Sequence, residues 1–239
     1  MDRLDFEKSI FPWKDRMPHV EKSNVVGLLG GSFNPPHAGH LLVAKIAIRR
    51  LHLDQLWWMV TPRNPLKDCA DLLSLEERVR LSVELIDHPK IRVTGFEQAI
   101  GSKVSVDTIS YILRHCRGVR FVWVIGADSF ATIHHWYRWH DIVSMLPIAI
   151  IDRPFVRIPA LSSPMAHIYR SFRLDERESI RLPFIKPPAW TYLHGPLSFQ
   201  SSTNLRLKKM IFLEHFIRFC FSLREGSFYF YVPNDKKGY

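Results

Sequence analysis

Residues 30–40 read Gly30-Gly31-Ser32-Phe33-Asn34-Pro35-Pro36-His37-Ala38-Gly39-His40 and follow directly on the apolar run Val25-Val26-Gly27-Leu28-Leu29. A short apolar run of this kind suits a strand buried on both faces, as parallel strands are. It ends in two glycines, which tolerate positive φ and let backbone N–H groups come close to a ligand. Pro35 and Pro36 stiffen the turn and remove two donors. A helix is expected from near Ala38, and a helix N-terminus attracts phosphate through its free amides and its dipole. His37 and His40, three residues apart, then share one side of the first turn, with Gly39 leaving space for an anion between them. Such a pair donates hydrogen bonds to phosphate oxygens as charge builds in a transition state. The plain alternative, a turn that caps a helix beside two incidental histidines, requires glycine, proline and histidine each to be a coincidence.

Strand and helix patterns alternate outward from this stretch. Strands are expected at Val25–Gly30, Leu56–Val60, Ile91–Phe96, Val119–Ile125, Leu146–Ile151 and Trp190–Leu193. Helices are expected at Gly39–Leu51, from Ser74 to about Ile86, at Ser105–His115, over 129–145, and from Thr203 to about Phe221. Ser74 with Glu77 three positions on forms a capping box. Residues 154–189 are punctuated by proline and less regular. Strands alternating with helices imply βαβ units with right-handed crossovers, hence a Rossmann-like, doubly wound, mostly parallel α/β sheet. Residues 1–24 read as a polar leader (with Met17 as another candidate start), 25–206 as the domain, and 207–239 as an atypical C-terminal segment.

The chain has 239 residues, 46% hydrophobic and 23% charged, enough for a sizeable core. A formal net charge of +10 favours anionic partners without choosing among nucleotides, nucleic acid, phosphorylated metabolites and acidic membranes. Its three cysteines, Cys69, Cys116 and Cys220, form no CxxC pair and suit a reducing compartment. No apolar stretch approaches membrane-spanning length and the start does not resemble a secretory signal, so a cytoplasmic location is expected.

Neither a Walker loop nor GxGxxG is present. Residues 30–40 instead resemble the GxFxPxHxGH signature of the HxGH nucleotidyltransferases, with His37-Ala38-Gly39-His40 matching the element that binds ATP phosphates. Ser201-Ser202-Thr203-Asn204-Leu205-Arg206 resembles their SSTxxR element. From the residues alone, Ser202 or Thr203 is a natural N-cap, and Arg206 in a first turn opposes the helix dipole unless an anion lies beside it. TPRNPLKD, LSLEERVRL, SVDTI, VWVIGADSF followed by Trp136-Tyr137, and IIDRP extend the likeness from about Val25 to Arg206. Together they resemble the bacterial nicotinate-nucleotide adenylyltransferases.

That resemblance implies adenylyl transfer from ATP to nicotinate mononucleotide, giving deamido-NAD and pyrophosphate by direct attack without a covalent intermediate. It implies Mg²⁺ with ATP, held by phosphate oxygens and water rather than by protein ligands. His37 and His40 would contact the phosphates, with His40 the transition-state donor and Arg206 the third catalytic group. Gly30, Gly31, Ser32, Phe33, Gly39, Gly126, Asp128, Ser201, Ser202 and Thr203 would form the ATP side. Asp128 has three readings: a ribose ligand, an orienting partner of a histidine, and a helix cap. On the acceptor side stand Lys67, Ser105, Thr108, Trp136, Tyr137 and Arg153. Trp136 would stack on the pyridine ring, or else sit in the core. Free amides at the start of the helix opening at Ser105 would favour a carboxylate over a carboxamide.

The rival readings are an adenylyltransferase acting on nicotinamide mononucleotide or phosphopantetheine, and a non-catalytic, basic nucleotide- or nucleic-acid-binding protein on the same fold. No nucleic acid or membrane partner is expected from the motifs. Residues 210–239 depart from the family's polar ending: the expected helix is apolar nearly all round. Three readings fit it: a buried helix, a contact in a homo-oligomer, and an altered coding frame.

Overall fold

The computed structural model describes residues 16–62, 72–102, 104–203, 205 and 206. The chain divides into two compact units, residues 1–200 and 201–239. Ser201–Arg206, expected to close the nucleotidyltransferase domain, therefore opens the second unit. The atypical segment beyond it, with the end of the expected last helix, lies outside the described residues, as do Lys67, Cys69 and Cys220.

The first unit is built on a seven-stranded parallel sheet, with strands β1 Val25–Gly31, β2 Gln55–Val60, β3 Ile91–Thr94, β4 Arg120–Gly126, β5 Ile148–Ile151, β6 Arg173–Leu174 and β7 Trp190–Leu193. They lie in the order β3-β2-β1-β4-β5-β7-β6. β1 pairs with both β2 and β4, so the sheet winds away from it in two directions. The helices are α1 Ala38–Arg50, α2 Leu75–Leu85, α3 Ser105–His115, α4 Ala127–Ala131, α5 Trp139–Met145, α6 Arg157–Leu161 and α7 Pro164–Ile168.

Beyond their first residues the central strands are apolar because both faces are covered. Val26, Leu28, Trp57, Met59, Trp123 and Ile125 face Val106, Ile109 and Ile112 of α3 and Ile142 and Val143 of α5. Val25, Leu29, Trp58, Val60, Val122 and Val124 face Val43, Ala44, Ile46 and Ala47 of α1 and Val79 of α2. Lys45 and Arg49 stay exposed, as the polar positions of α1 require. Ser74 caps α2 by accepting from the Glu77 amide at 3.1 Å, while the Glu77 carboxylate holds Arg80.

Two expectations change. Residues 16–24 do not read as a detached leader: Met17 and Val20 pack against the core. The Arg16 carbonyl accepts from Thr94 at 2.8 Å, and the His19 carbonyl accepts from Gln55 at 3.1 Å. The single helix expected over 129–145 is broken into α4, a 3-10 turn Ile133–His135, and α5, with Arg138 left-handed at φ 51°. On a continuous helix Trp136 would point about 240° round the axis from buried Phe130. The break returns it to the same core, edge-on to Trp123.

Candidate active site

In an open parallel sheet, ligands bind beyond the carboxyl ends of strands where the winding reverses. That point lies between β1 and β4, whose ends are Gly30-Gly31 and Gly126. His37 is the N-cap of α1, extended at φ −153° and ψ 167°, and its Nδ1 accepts from the Gly39 amide at 3.1 Å. That bond assigns the tautomer: Nδ1 keeps its lone pair and the proton sits on Nε2. The His37 and His40 rings stack with centroids 3.7 Å apart. His37 is only 4% exposed. Burial first, and the Arg153 guanidinium second, push its pKa down to about 4, with Asp128 pulling the other way. At neutral pH His37 is therefore an uncharged donor, whose partner in charge is Arg153.

The opening loop uses its glycines differently from the expectation. Neither Gly30 nor Gly31 has positive φ; the left-handed residue is Phe33, at φ 44°. A Cβ on Gly31 would stand 2.9 Å from the Phe33 ring, so that glycine makes room for a folded-back phenylalanine. Phe33 is buried, stacks on Trp58 at 4.2 Å and meets His40 edge-on at 5.0 Å. Its ring backs His40 instead of lining space for a ligand, a correction to its placement on the ATP side. Gly39 is tightly enclosed: a Cβ there would lie 2.7 Å from Arg153 Nη1 and 2.9 Å from His37 Nδ1.

Arg78, on α2, is 1% exposed and was not singled out from sequence. It donates to the carbonyls of Ser32 (2.7 Å), Thr61 (2.7 Å), Pro62 (2.9 Å) and Leu73 (2.9 Å). One guanidinium thus ties the β1–α1 loop to the end of β2 and the approach to α2. Asn34 adds a second tie, accepting from the Leu73 amide at 3.1 Å.

Asp128 does not cap α4. Gly126 is the cap residue and makes no side-chain bond, whereas an Asp128 oxygen sits where a Gly126 Cβ would be, at 2.4 Å from it. Asp128 is exposed, and its negative charge raises the His37 pKa against burial and Arg153. Arg153, placed on the acceptor side from sequence, stands instead against Gly39 and His37. Its backbone is held by Asp152, which also accepts from Tyr192 at 2.6 Å and pairs with Arg157. Burial pushes the Asp152 carboxyl up, but the Arg157 and Tyr192 hydrogen bonds outweigh it and the pKa falls. Gln200 closes the first unit over α1: its side-chain oxygen accepts from the Ala38 amide at 3.1 Å, and its carbonyl accepts from Arg153 at 3.3 Å. A carboxamide oxygen on the first amide of α1 marks that amide as a donor to an incoming oxygen.

The remaining acceptor-side residues are more dispersed. Ser105 opens α3 beyond an apolar cap, Val104, which supplies no side-chain bond. The Asp107 amide turns to the Val104 carbonyl at 3.2 Å. The amides of Ser105 and Val106, the first of α3, have no partner within the helix itself. Thr108 is fully buried and bonded to Glu97 and Ser102, so its side chain supports the loop and does not reach a substrate. Trp136 is half-buried and Tyr137 is 63% exposed, so neither is a simple core residue.

A family model described as Cytidylyltransferase-like matches residues 28–207. A "Probable nicotinate-nucleotide adenylyltransferase" of Mesorhizobium japonicum is 52% identical over 190 residues, 80% of this chain and 97% of the relative. One of the same description from Brucella suis is 56% identical over 181 residues, 76% and 93% of the two chains. The chain belongs to the nicotinate-nucleotide adenylyltransferase family. The solved nicotinic acid mononucleotide adenylyltransferase of Plasmodium falciparum complexed with NaAD shares the fold: TM-score 0.58 at 19% identity, over 77% of this chain and 82% of that one. The family is one of nucleotidyltransferases, so this chain is an enzyme.

In the second unit, residues 202, 203, 205 and 206 are helical, and the Leu205 amide bonds to the Ser201 carbonyl at 3.1 Å. The turn therefore opens at Ser201, earlier than the Ser202 or Thr203 cap expected. Arg206 donates to the Thr203 hydroxyl at 3.4 Å, bringing the cation and hydroxyl of the adenylyltransferase SSTNLR element together. Among the described residues no helix is long and apolar enough to cross a membrane.

Proposed function

We propose that this chain joins ATP to nicotinate mononucleotide, releasing pyrophosphate and forming deamido-NAD. A phosphate oxygen of the mononucleotide attacks the α-phosphorus of ATP. The bond from that phosphorus to the bridging α–β oxygen breaks, and the electron pair leaves on pyrophosphate. Both reactants bring their own oxygens, so positioning and charge stabilisation are the protein's contributions. His37 donates from Nε2, His40 stacked on it is the transition-state donor, and Arg153 supplies positive charge beside them. The resemblance of the SSTNLR element assigns Ser201, Ser202, Thr203 and Arg206 to phosphate binding. Gly30, Gly31, Ser32, Gly39, Gly126 and Asp128 form the ATP side.

The single observation that carries this reading is the His37 cap. Its Nδ1 is committed to the Gly39 amide, which leaves an uncharged, oriented Nε2–H at a helix N-terminus on the sheet's switch point. Mg²⁺ would enter with ATP. Phosphate oxygens and water would carry the ion. Bound there, it neutralises phosphate charge. On the acceptor side, the opening amides of α3 at Ser105 and Val106 receive the nicotinate carboxylate and Trp136 stacks on the pyridine ring beside Tyr137; the resemblance alone assigns Lys67 to the mononucleotide phosphate. The test is incubation with ATP, Mg²⁺ and, in parallel, nicotinate mononucleotide, nicotinamide mononucleotide and phosphopantetheine. Pyrophosphate release should be fastest with nicotinate mononucleotide; equal or greater turnover of either other acceptor overturns the assignment.

A further inference from the structure

Behind the opening turn of α3 lies a chain of oxygens that the reaction itself does not use. Glu97 is 5% exposed. The Thr108 hydroxyl lies 2.8 Å from a Glu97 carboxyl oxygen and 2.7 Å from the Ser102 hydroxyl, which in turn lies 3.1 Å from the Val104 carbonyl. Each contact joins two oxygens and holds only with a proton between them. Three contacts need three protons, and the two hydroxyls carry one each. An ionised Glu97 leaves the chain one proton short. A neutral Glu97 completes it: carboxyl to Thr108, Thr108 to Ser102, Ser102 to the Val104 carbonyl. Val104 is the α3 cap and has no side-chain cap of its own.

We propose that Glu97 is a positioning residue, held as the neutral acid, whose proton completes this chain and so fixes the α3 N-terminus for an anionic acceptor group. The proposal rests on the reading that the nicotinate carboxylate meets the first turn of α3. Burial first, tempered by the Thr108 hydroxyl, pushes the Glu97 pKa up to about 7. Among the described residues no charged group on β3, on α3 or on the segment between them alters it; Asp107 on the first turn of α3 points to solvent. Ionisation would leave either the Thr108–Ser102 or the Ser102–Val104 contact without a proton, so the chain from Glu97 to the α3 cap is interrupted, and would set a buried negative charge behind the carboxylate site.

Three proteins decide it: wild type, E97Q and T108V. Gln offers N–H donors in place of the carboxyl proton at every pH, and Val interrupts the chain at nearly constant volume. In wild type the KM for nicotinate mononucleotide should rise about tenfold from pH 6 to 9 beyond its rise in E97Q, with kcat changing far less. The acceptor's own phosphate titrates alike in both proteins. T108V should show the raised KM at every pH. Independently of turnover, infrared spectra of the full chain at pH 6 should contain a protonated-carboxyl band that E97Q lacks. Absence of that band, or parallel KM profiles in wild type and E97Q, overturns the proposal. If wild type turns over no nicotinate mononucleotide, the substrate reading fails instead, and the band still decides the proton chain.

Discussion

His37 performs two tasks with its two ring nitrogens, one capping α1 and the other presenting a proton where phosphate is expected. His40 stacks on it and leans on Phe33, which leans on Trp58. His40→Ala should lower kcat by about 10²–10³ while the thermal midpoint moves little, as loss of one preorganised donor does. The check is steady-state pyrophosphate release beside a melting curve. Gly39→Ala places a methyl within 2.7 Å of Arg153 Nη1 and should weaken ATP binding, read as a raised KM for ATP. Gly31→Ala meets a different obstacle, the buried Phe33 ring, and should show first as lost stability. Lone residues in a motif look equivalent as letters. Their separate reasons appear only when the neighbours that crowd them are known, which is why Phe33 and Thr108 read as ligand contacts and proved to be supports.

At the scale of elements, the binding loop is held by a helix it does not belong to. Arg78 sits one turn into α2 and bonds to carbonyls of four residues on three segments. Arg78→Met leaves those carbonyls without donors and should destabilise the protein by about 2–4 kcal/mol, measured by urea denaturation. The same change should raise the KM for ATP more than that for the acceptor, because Ser32 lies on the histidine loop. Helix boundaries for α1, α2 and α3 were legible from caps and apolar spacing, with α3 at Ser105–His115 matching to the residue. The segment 129–145 was not. Local propensity there favours one helix, and the demand that Phe130, Ile133 and Trp136 all reach one core breaks it.

For the whole molecule, two buried groups titrate in opposite senses. His37 is depressed from 6.5 to about 4, so the folded state binds the proton less well than the unfolded chain. Its contribution is complete above pH 6.5 and is lost as pH falls from 6.5 towards 4. Glu97 is raised from 4.5 to about 7, so its burial is favourable only while it stays protonated. That contribution is complete below pH 4.5 and is lost as pH rises towards 7. Glu97→Gln should therefore be more stable than wild type at pH 8, by on the order of 3 kcal/mol, with the gain shrinking as pH approaches 4.5. Denaturation midpoints of both proteins across pH 4.5–8 check it. By itself the sequence determined the alternation of apolar runs and helices, hence the parallel sheet, and the two motifs that carry phosphate chemistry. Those are local properties: periodicity, turn chemistry and spacing within a few residues. Only the tertiary structure decided which of the motif residues meet. Arg153 comes to His37 from the segment after β5, far along the chain, Arg78 reaches the loop from another helix, and the Glu97 pKa rises because folding removes the carboxyl from water. Proximity and desolvation are set by packing between distant segments, and no local pattern encodes them.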